Sequence, residues 1–150
     1  MLTLPPTNYI KNPFHSLSLR GQHKPPRSRV YGGILYVRKN NRTEYAIVQG
    51  RYTEKWSFPK GHSNEGETPM ECTLREVAEE VGIDELPTPN EYLRIGHGNY
   101  YLFPLEEKIA LNPRDTNEII NTKWATIEEM EELSLNVDVS KYVKRLKGQL

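Results

Sequence analysis

The sequence predicts an α/β or α+β domain, because strand-like and helix-like segments are mixed along most of its 150 residues. Two segments rich in Val, Ile, Leu and Tyr, residues 29–38 and 44–49, have the pattern of paired strands. A helix with signals at both ends follows at residues 69–81, and a second strand-like region spans residues 92–105. A chain of this length accommodates one domain with one adequate core.

The remaining elements follow from the same patterns of apolar residues and turn residues. Asn40 and Asn41 mark a turn between the first two strands, which makes them a hairpin. Gly96 and Gly98 interrupt the region at 92–105, so it is read as one or two strands. Further short strands are predicted at residues 56–58 and 118–124, and short helices at residues 127–133 and 140–146.

The helix at residues 69–81 carries the clearest local signals. Thr68 is placed as its N-cap, Pro69 occupies the first helical position, and Glu71 completes a capping box. Gly82 follows the last turn, where a left-handed glycine ends many helices. The spacing predicts an apolar face formed by Met70, Leu74, Val77, Ala78 and Val81.

Three carboxylates, those of Glu76, Glu79 and Glu80, lie together on the opposite side of this helix. Like charges repel one another, whereas Mg²⁺ and Mn²⁺ are bound by carboxylate and carbonyl oxygens. The cluster therefore indicates a metal site, with the alternative that it is only the exposed acidic face of an amphipathic helix. Arg75 borders the cluster and is placed to hold one carboxylate by a charge-assisted hydrogen bond.

The stretch at residues 61–83, GHSNEGETPMECTLREVAEEVGI, favours the metal site. It fits the Nudix box, G-x5-E-x7-R-E-U-x-E-E-x-G-U with U apolar, and the chain therefore resembles the Nudix hydrolases. Every defined position of the box is matched, by Gly61, Glu67, Arg75, Glu76, Val77, Glu79, Glu80, Gly82 and Ile83. The resemblance implies an α/β/α sandwich around a mixed β-sheet. It also implies hydrolysis of a phosphoanhydride in a nucleoside diphosphate linked to a further group, with Mg²⁺ or Mn²⁺ as cofactor.

The resemblance assigns expected roles within the box. Glu76, Glu79 and Glu80 are expected metal ligands, with the Gly61 carbonyl as an additional one. Arg75 is expected to orient a carboxylate, and Glu67 is expected to support the site.

Catalysis also requires a general base, and Glu118 is the predicted residue. Several Nudix subfamilies carry a base outside the box, and Glu118 precedes Trp124 at a spacing similar to that in related enzymes. Two alternatives stay open: Glu118 is an ordinary exposed strand residue, or Glu79 or Glu80 acts on a metal-bound water.

Residues 56–62, WSFPKGH, resemble the segment before the box in mRNA-decapping Nudix enzymes and in dinucleoside tetraphosphate hydrolases. Lys60 is expected to bind a phosphate as a point charge, with a solvated loop lysine as the alternative. His62 is placed to hydrogen-bond a phosphate or a water. Tyr101 and Phe103 are candidates for stacking on a base, although aromatic residues in strands more often pack in a core.

The substrate that these resemblances favour is 5′-capped mRNA, with a diadenosine or other dinucleoside polyphosphate as the alternative. A third hypothesis, from another class, is a catalytically idle Nudix-fold module that binds RNA or nucleotide. The complete set of carboxylates disfavours that module, because a protein that only binds has no need of them.

Charge is distributed unevenly, although the formal net charge is zero at pH 7. Residues 1–43 contain eight Lys or Arg and no Asp or Glu. We therefore divide the chain into a basic, Pro-rich N-terminal arm at residues 1–27 and a Nudix hydrolase domain at residues 28–150. The arm is either an RNA contact, through attraction to a polyanion, or a solvated segment without such a role.

Cys72 is the only cysteine, and no apolar run is long enough to span a membrane. Both features lead us to expect an intracellular, cytoplasmic protein without a membrane partner. Cys72 is interpreted as a small packing residue rather than a nucleophile.

Overall fold

The computed structural model of the protein describes residues 9–10 and 29–148. The predicted arm at residues 1–27 lies outside the described residues except at 9–10, and its boundary stays a prediction. The strands are β1 (Tyr9–Ile10), β2 (Val30–Lys39), β3 (Arg42–Gly50), β4 (Trp56–Ser57), β5 (Lys60–His62), β6 (Leu86–Pro87), β7 (Glu91–Ile95), β8 (Gly98–Leu105) and β9 (Ile119–Ala125). The helices are α1 (Pro69–Val81), α2 (Ile127–Met130) and α3 (Val137–Leu146).

Seven of these strands form one mixed sheet. β2 and β8 pair in parallel along eight residues, whereas every other pairing in the sheet is antiparallel. β7 lies on the outer side of β8, and β9 runs along the outer side of β3. β1 and β6 form a separate two-stranded sheet.

β2 and β3 pair only near their connecting turn and then diverge. Their pairing ends at Tyr36↔Tyr45, beyond which β2 pairs with β5 and β3 pairs with β4. The segment at residues 56–62 is thus inserted between the two diverging strands. The insertion depends on Gly32, because a Cβ at this position would lie 2.3 Å from the carbonyl oxygen of Pro59.

Two hydrophobic cores lie on opposite faces of the sheet. α1 packs on one face, where Val77, Val81 and Phe103 are fully buried. α2 and α3 cover the other face, where Met130 and Val139 are fully buried. This arrangement confirms the predicted α/β/α sandwich around a mixed sheet.

α3 is attached to the sheet by a buried carboxylate. Asp138 is 3% exposed and accepts hydrogen bonds from the His97 N–H, at 2.7 Å, and from the Tyr100 hydroxyl. Gly96 leaves room for this carboxylate, since a Cβ there would lie 2.2 Å from Oδ1 of Asp138. Burial raises the pKa of Tyr100, and the charge of Asp138 adds to the shift, so the hydroxyl remains a donor.

The predicted strands are confirmed with small shifts at their ends, and the region at 92–105 forms two strands. β5 has no counterpart among the predicted strands. Three residues are too few to show an alternating pattern, and this strand exists because β2 lies beside it. The short strand β6 is likewise an addition to the predicted elements.

The two C-terminal helices also differ from their predicted bounds. The helix predicted at 127–133 ends at Met130, and the one predicted at 140–146 begins at Val137, where the Asn136 side chain accepts a hydrogen bond as its N-cap. Within residues 9–10 and 29–148, no helix has both the length and the apolar character that crossing a membrane requires.

Candidate active site

α1 begins and ends as the sequence predicts. Thr68 accepts a hydrogen bond from the N–H of Glu71 at 3.1 Å, and the Glu71 carboxylate accepts one from the N–H of Thr68 at 3.0 Å. Gly82 ends the helix in the left-handed conformation, with a φ of 76°. These caps fix where the helix starts and stops, and so which side chains its last two turns present.

Two of the three clustered carboxylates are buried. Glu76 is 8% exposed and Glu80 is 6% exposed, because β5 packs against their side of α1. The alternative of a solvated acidic face is therefore wrong for these two residues. The side chain of Glu79 keeps 42% of its surface exposed.

β5 presents its backbone to the two buried carboxylates. The N–H of Lys60 donates to Oε1 of Glu80 at 3.1 Å. A Cβ at Gly61 would lie 2.1 Å from Oε2 of Glu76, so only glycine allows this approach.

Burial raises the pKa of the neighbouring Cys72 thiol to about 12, which supports its interpretation as a packing residue.

The guanidinium of Arg75 connects the acidic side chains. It donates to Glu67 at 2.6 Å, to Glu76 at 2.9 Å and to Glu79 at 3.3 Å. A further bond, at 3.0 Å, reaches the carbonyl of His62 in β5. Burial alone would raise the pKa of Glu67, but the hydrogen bond from Arg75 holds it below its usual value. The geometry supports the orienting role predicted for Arg75 and the supporting role predicted for Glu67.

Negative charge is crowded at the end of α1. Burial raises the pKa of Glu76 despite the nearby Arg75, and the charge of Glu79 adds to the shift. Burial also raises the pKa of Glu80 to about 8, with a further contribution from the charge of Glu76 and a smaller one from Glu118. Both shifts come mainly from burial and to a smaller extent from neighbouring carboxylates, so the ionised forms of Glu76 and Glu80 are disfavoured.

A cavity of about 330 Å³ opens beside Glu80, whereas Glu76 and Glu79 are not among its lining residues. Three residues selected from the sequence, Lys60, Glu80 and Glu118, line it together. The rest of its wall comes from residues that were not selected: Gly50, Tyr52, Thr53, Lys55, Ser57, Ile119 and Asn136. The cavity thus brings the predicted general base to the same space as a predicted metal ligand.

The loop that carries Glu118 is fixed to α1. The N–H groups of Arg114 and Asp115 both donate to the Glu79 carbonyl, at 2.8 and 2.9 Å. This carbonyl lies in the last turn, where a helix leaves its own acceptors without partners. From the other side, the N–H of Arg51 donates to the Glu118 carbonyl at 2.7 Å. The backbone of Glu118 is therefore held between the end of α1 and the turn that follows β3.

That turn, residues 50–55, is the part of the site that the sequence analysis missed. It contributes Tyr52 and Lys55 to the cavity, and both side chains are exposed. It carries no motif, and the available signal is its position: it is the loop directly before the segment at 56–62, and binding residues are concentrated in such loops.

The two aromatic residues predicted to contact substrate lie elsewhere. Neither Tyr101 nor Phe103 lines the cavity. Phe103 is completely buried in the core beside α1, so it offers no surface to a base and its predicted role is corrected. Tyr101 is half-buried, with its ring centroid 4.6 Å from that of Tyr92, and its role stays a prediction. His62 is exposed at the end of β5, and its role stays a prediction too.

The oxygen atoms of the α1 carboxylates and of the Gly61 backbone are of the type that a hard divalent cation prefers. The backbone of Gly61 lies against the carboxylate of Glu76, and the N–H of the adjacent Lys60 donates to Glu80. Among residues 9–10 and 29–148, no three His, Cys, Asp or Glu side chains converge as a ready group of metal ligands.

Relatives of known activity resemble this chain in sequence. The m7GpppN-mRNA hydrolase of Saccharomyces cerevisiae is 27% identical over 121 residues, which cover 76% of this chain but 12% of that protein. The chain therefore spans only a small part of the yeast enzyme. The RNA pyrophosphohydrolase of Legionella pneumophila is 28% identical over 146 residues, covering 79% of this chain and 81% of the relative.

Solved structures show the same fold. An Ap4A hydrolase of Caenorhabditis elegans, in a binary complex, superposes with a TM-score of 0.61 at 19% identity, over 80% of this chain and 95% of that one. The family model described as the NUDIX domain matches residues 27–146. That match spans most of the chain and includes every carboxylate of the site, and the protein therefore belongs to the Nudix family.

Proposed function

We propose that the protein hydrolyses a phosphoanhydride at the 5′ end of RNA, with 5′-capped mRNA as its preferred substrate. The observation that carries the proposal is the cavity in which Lys60, Glu80 and Glu118 meet. It offers a cation for phosphate and carboxylates for metal binding and proton transfer in one space. Two sequence relatives that cover about three quarters of the chain are named for action on mRNA or RNA, and these names support the choice of substrate.

The residues divide the chemistry between them. A bound Mg²⁺ or Mn²⁺ would supply charge neutralisation and activation of water, and Glu76, Glu79, Glu80 and the Gly61 carbonyl would hold it. Glu118 accepts a proton from the attacking water, and Lys60 binds a phosphate of the substrate. Water adds across one P–O–P linkage, so the products are the nucleoside diphosphate of the cap and an RNA with a 5′-monophosphate.

The first alternative is hydrolysis of a dinucleoside polyphosphate. Its support from the solved structures is limited to the fold, because the Ap4A hydrolase is only 19% identical. The sequence relatives named for RNA are more similar to this chain, at 27% and 28% identity. Capped RNA is therefore the better proposal.

A competition assay tests the choice of substrate. Capped RNA, 5′-triphosphate RNA and diadenosine tetraphosphate are offered to the protein together, with Mg²⁺ or Mn²⁺, and all products are identified. We expect release of the cap nucleoside diphosphate to be the fastest reaction. Faster cleavage of diadenosine tetraphosphate would overturn the proposal in favour of the alternative.

The hypothesis of a non-catalytic binding module is tested by Glu79→Gln. An enzyme that uses Glu79 loses turnover in this variant, whereas a binding module retains its affinity and has no turnover to lose. We further propose that the protein acts inside the cell, where a single reduced cysteine is stable and capped RNA is found.

A further inference from the structure

Tyr52 is unusual among the large apolar side chains of this protein. Its surface is 82% exposed, whereas the other exposed large side chains in the described part of the chain lie between 41% and 49%. Its ring forms no aromatic pair within residues 9–10 and 29–148, in contrast to Tyr92, which pairs with Tyr101. A ring this exposed is accessible to a ligand, and Tyr52 lines the same cavity as Lys60, Glu80 and Glu118.

The backbone beneath Tyr52 is held in a defined conformation. Gly50 and Lys55 close the turn with an N–H···O bond of 3.0 Å, and the N–H of Glu54 donates to the Gly50 carbonyl at 2.9 Å. Glu54 has a φ of 61°, an uncommon conformation for this residue type. The Gln49 side chain donates to the Glu54 carbonyl at 3.0 Å, and the Thr53 hydroxyl accepts from the N–H of Lys55 at 3.1 Å. A turn held in one conformation loses little entropy when a ligand binds. An exposed aromatic ring on such a turn is therefore suited to binding a planar ligand.

The same cavity wall carries positive charge. Lys55 and Lys60 both line it, and neither amino group forms an ion pair with a carboxylate of residues 9–10 or 29–148. Arg51, the other cation of the turn, is not among the residues that line the cavity. Its guanidinium donates to the Thr116 carbonyl at 2.8 Å. Two lysines thus line the same cavity as an exposed tyrosine and the carboxylates of Glu80 and Glu118.

We propose that Tyr52 is a stacking platform for a nucleobase of the substrate, and that Lys55 binds a phosphate between this base and the scissile linkage. The proposal rests on the proposed function, because it assumes a substrate with a base joined to a phosphoanhydride. Stacking accepts every base and is stronger for purines, so the subsite contributes affinity with little base specificity. Lys55 binds a phosphate as a point charge, so it too contributes affinity with little base specificity.

Kinetics on capped RNA test the subsite. We expect Tyr52→Ala to raise KM roughly 5- to 100-fold, the range for loss of one stacked base, with kcat within about twofold. Tyr52→Phe retains the ring and should stay within about twofold of the wild type in both constants. Lys55→Ala should raise KM, whereas Lys141→Ala, which removes an exposed lysine of α3, should not. An unchanged KM in Tyr52→Ala, or an equal loss in Tyr52→Phe, would overturn the proposal.

A binding measurement separates this proposal from the proposed function. The probe is the methylene-bridged, non-hydrolysable 5′-triphosphate of 2-aminopurine riboside, whose fluorescence falls when its base stacks. We expect the wild type and Tyr52→Phe to quench the probe and Tyr52→Ala to lose quenching. If capped RNA is not hydrolysed but this pattern holds, the proposed function fails and the subsite stands. If Tyr52→Ala quenches as the wild type does, or the wild type does not quench, the subsite is overturned whatever the turnover.

Discussion

At the scale of single residues, Glu80 is a proposed metal ligand whose burial has a cost in stability. Burial and the charge of Glu76 raise its pKa from 4.5 to about 8. Between these two pH values the unfolded chain has lost the proton that the folded protein still binds. The stability of the metal-free protein therefore falls as the pH rises through this window.

We predict that Glu80→Gln stabilises the metal-free protein at pH 8, by on the order of a few kcal/mol, because the neutral amide needs no proton. The gain should shrink as the pH is lowered and vanish below about 4.5, where Glu80 is protonated in both the folded and the unfolded wild type. Urea denaturation of both proteins at pH 5 and pH 8 measures the difference. An equal gain at the two pH values would show that charge burial is not its cause.

Arg75 is the second residue whose replacement is informative. Its guanidinium bonds to Glu67, Glu76 and Glu79 at once, and the single ammonium of lysine cannot reproduce this fork. We predict that Arg75→Lys lowers kcat roughly 10- to 100-fold, since partners that orient ligands have effects of this size. Steady-state assays on capped RNA measure it, with Arg94→Lys at an exposed position of β7 as the control. Equal rates in both variants would contradict the orienting role.

At the scale of elements, the junction between α1 and the loop that follows β8 is the critical one. Gly82 has a φ of 76°, and a Cβ there would lie 2.2 Å from the carbonyl oxygen of Asn112. Gly148 has a similar φ of 73°, but no atom lies within 4 Å of its Cβ position. Substitution of either glycine by alanine strains the backbone, but only the substitution at Gly82 also creates a clash with the loop. Comparing the two variants therefore distinguishes the two effects.

We predict that Gly82→Ala destabilises the fold by roughly 2 kcal/mol or more, and Gly148→Ala by about 1 kcal/mol or less. Gly82→Ala should also lower kcat, because the loop it displaces carries Glu118. Thermal denaturation and turnover are measured on both variants. Similar stability losses would mean that the loop contact with Asn112 contributes nothing.

Features set by neighbouring residues in the chain could be predicted from the sequence, whereas features set by distant strands could not. α1 was predictable at both ends because its caps are local, from Thr68 to Gly82. The strand β5 and the burial of Glu76 and Glu80 were not, because both result from a segment inserted between two diverging strands. The same limit applies to Phe103: alternation along a strand shows that a residue faces one side of the sheet, but not that a helix covers that side.

At the scale of the whole molecule, the uneven distribution of charge is the feature that the cavity does not explain. The arm at residues 1–27 contains Lys11, Arg20, Lys24 and Arg27 and no acidic residue. An RNA contact through these cations would release counterions, at about 0.7 per phosphate neutralised on a single strand.

We predict that deletion of residues 1–27 weakens binding of capped RNA and makes its dependence on salt shallower. Binding of diadenosine tetraphosphate, which has no RNA body, should change little. Titrations of Glu79→Gln protein, with and without the arm, at several salt concentrations measure both slopes. Equal slopes for the two forms would reduce the arm to a segment without a role in RNA binding.

The central proposal for the whole molecule is that Glu118 and the carboxylates of α1 act together in metal-dependent hydrolysis. The most direct test is the single-turnover rate on capped RNA, with and without Mg²⁺, for the wild type, Glu118→Gln and the exposed control Glu106→Gln. We predict a rate that requires Mg²⁺, a loss of about 100-fold or more in Glu118→Gln, and a rate within about twofold of the wild type in Glu106→Gln. Hydrolysis by Glu118→Gln at the rate of the wild type would contradict the account.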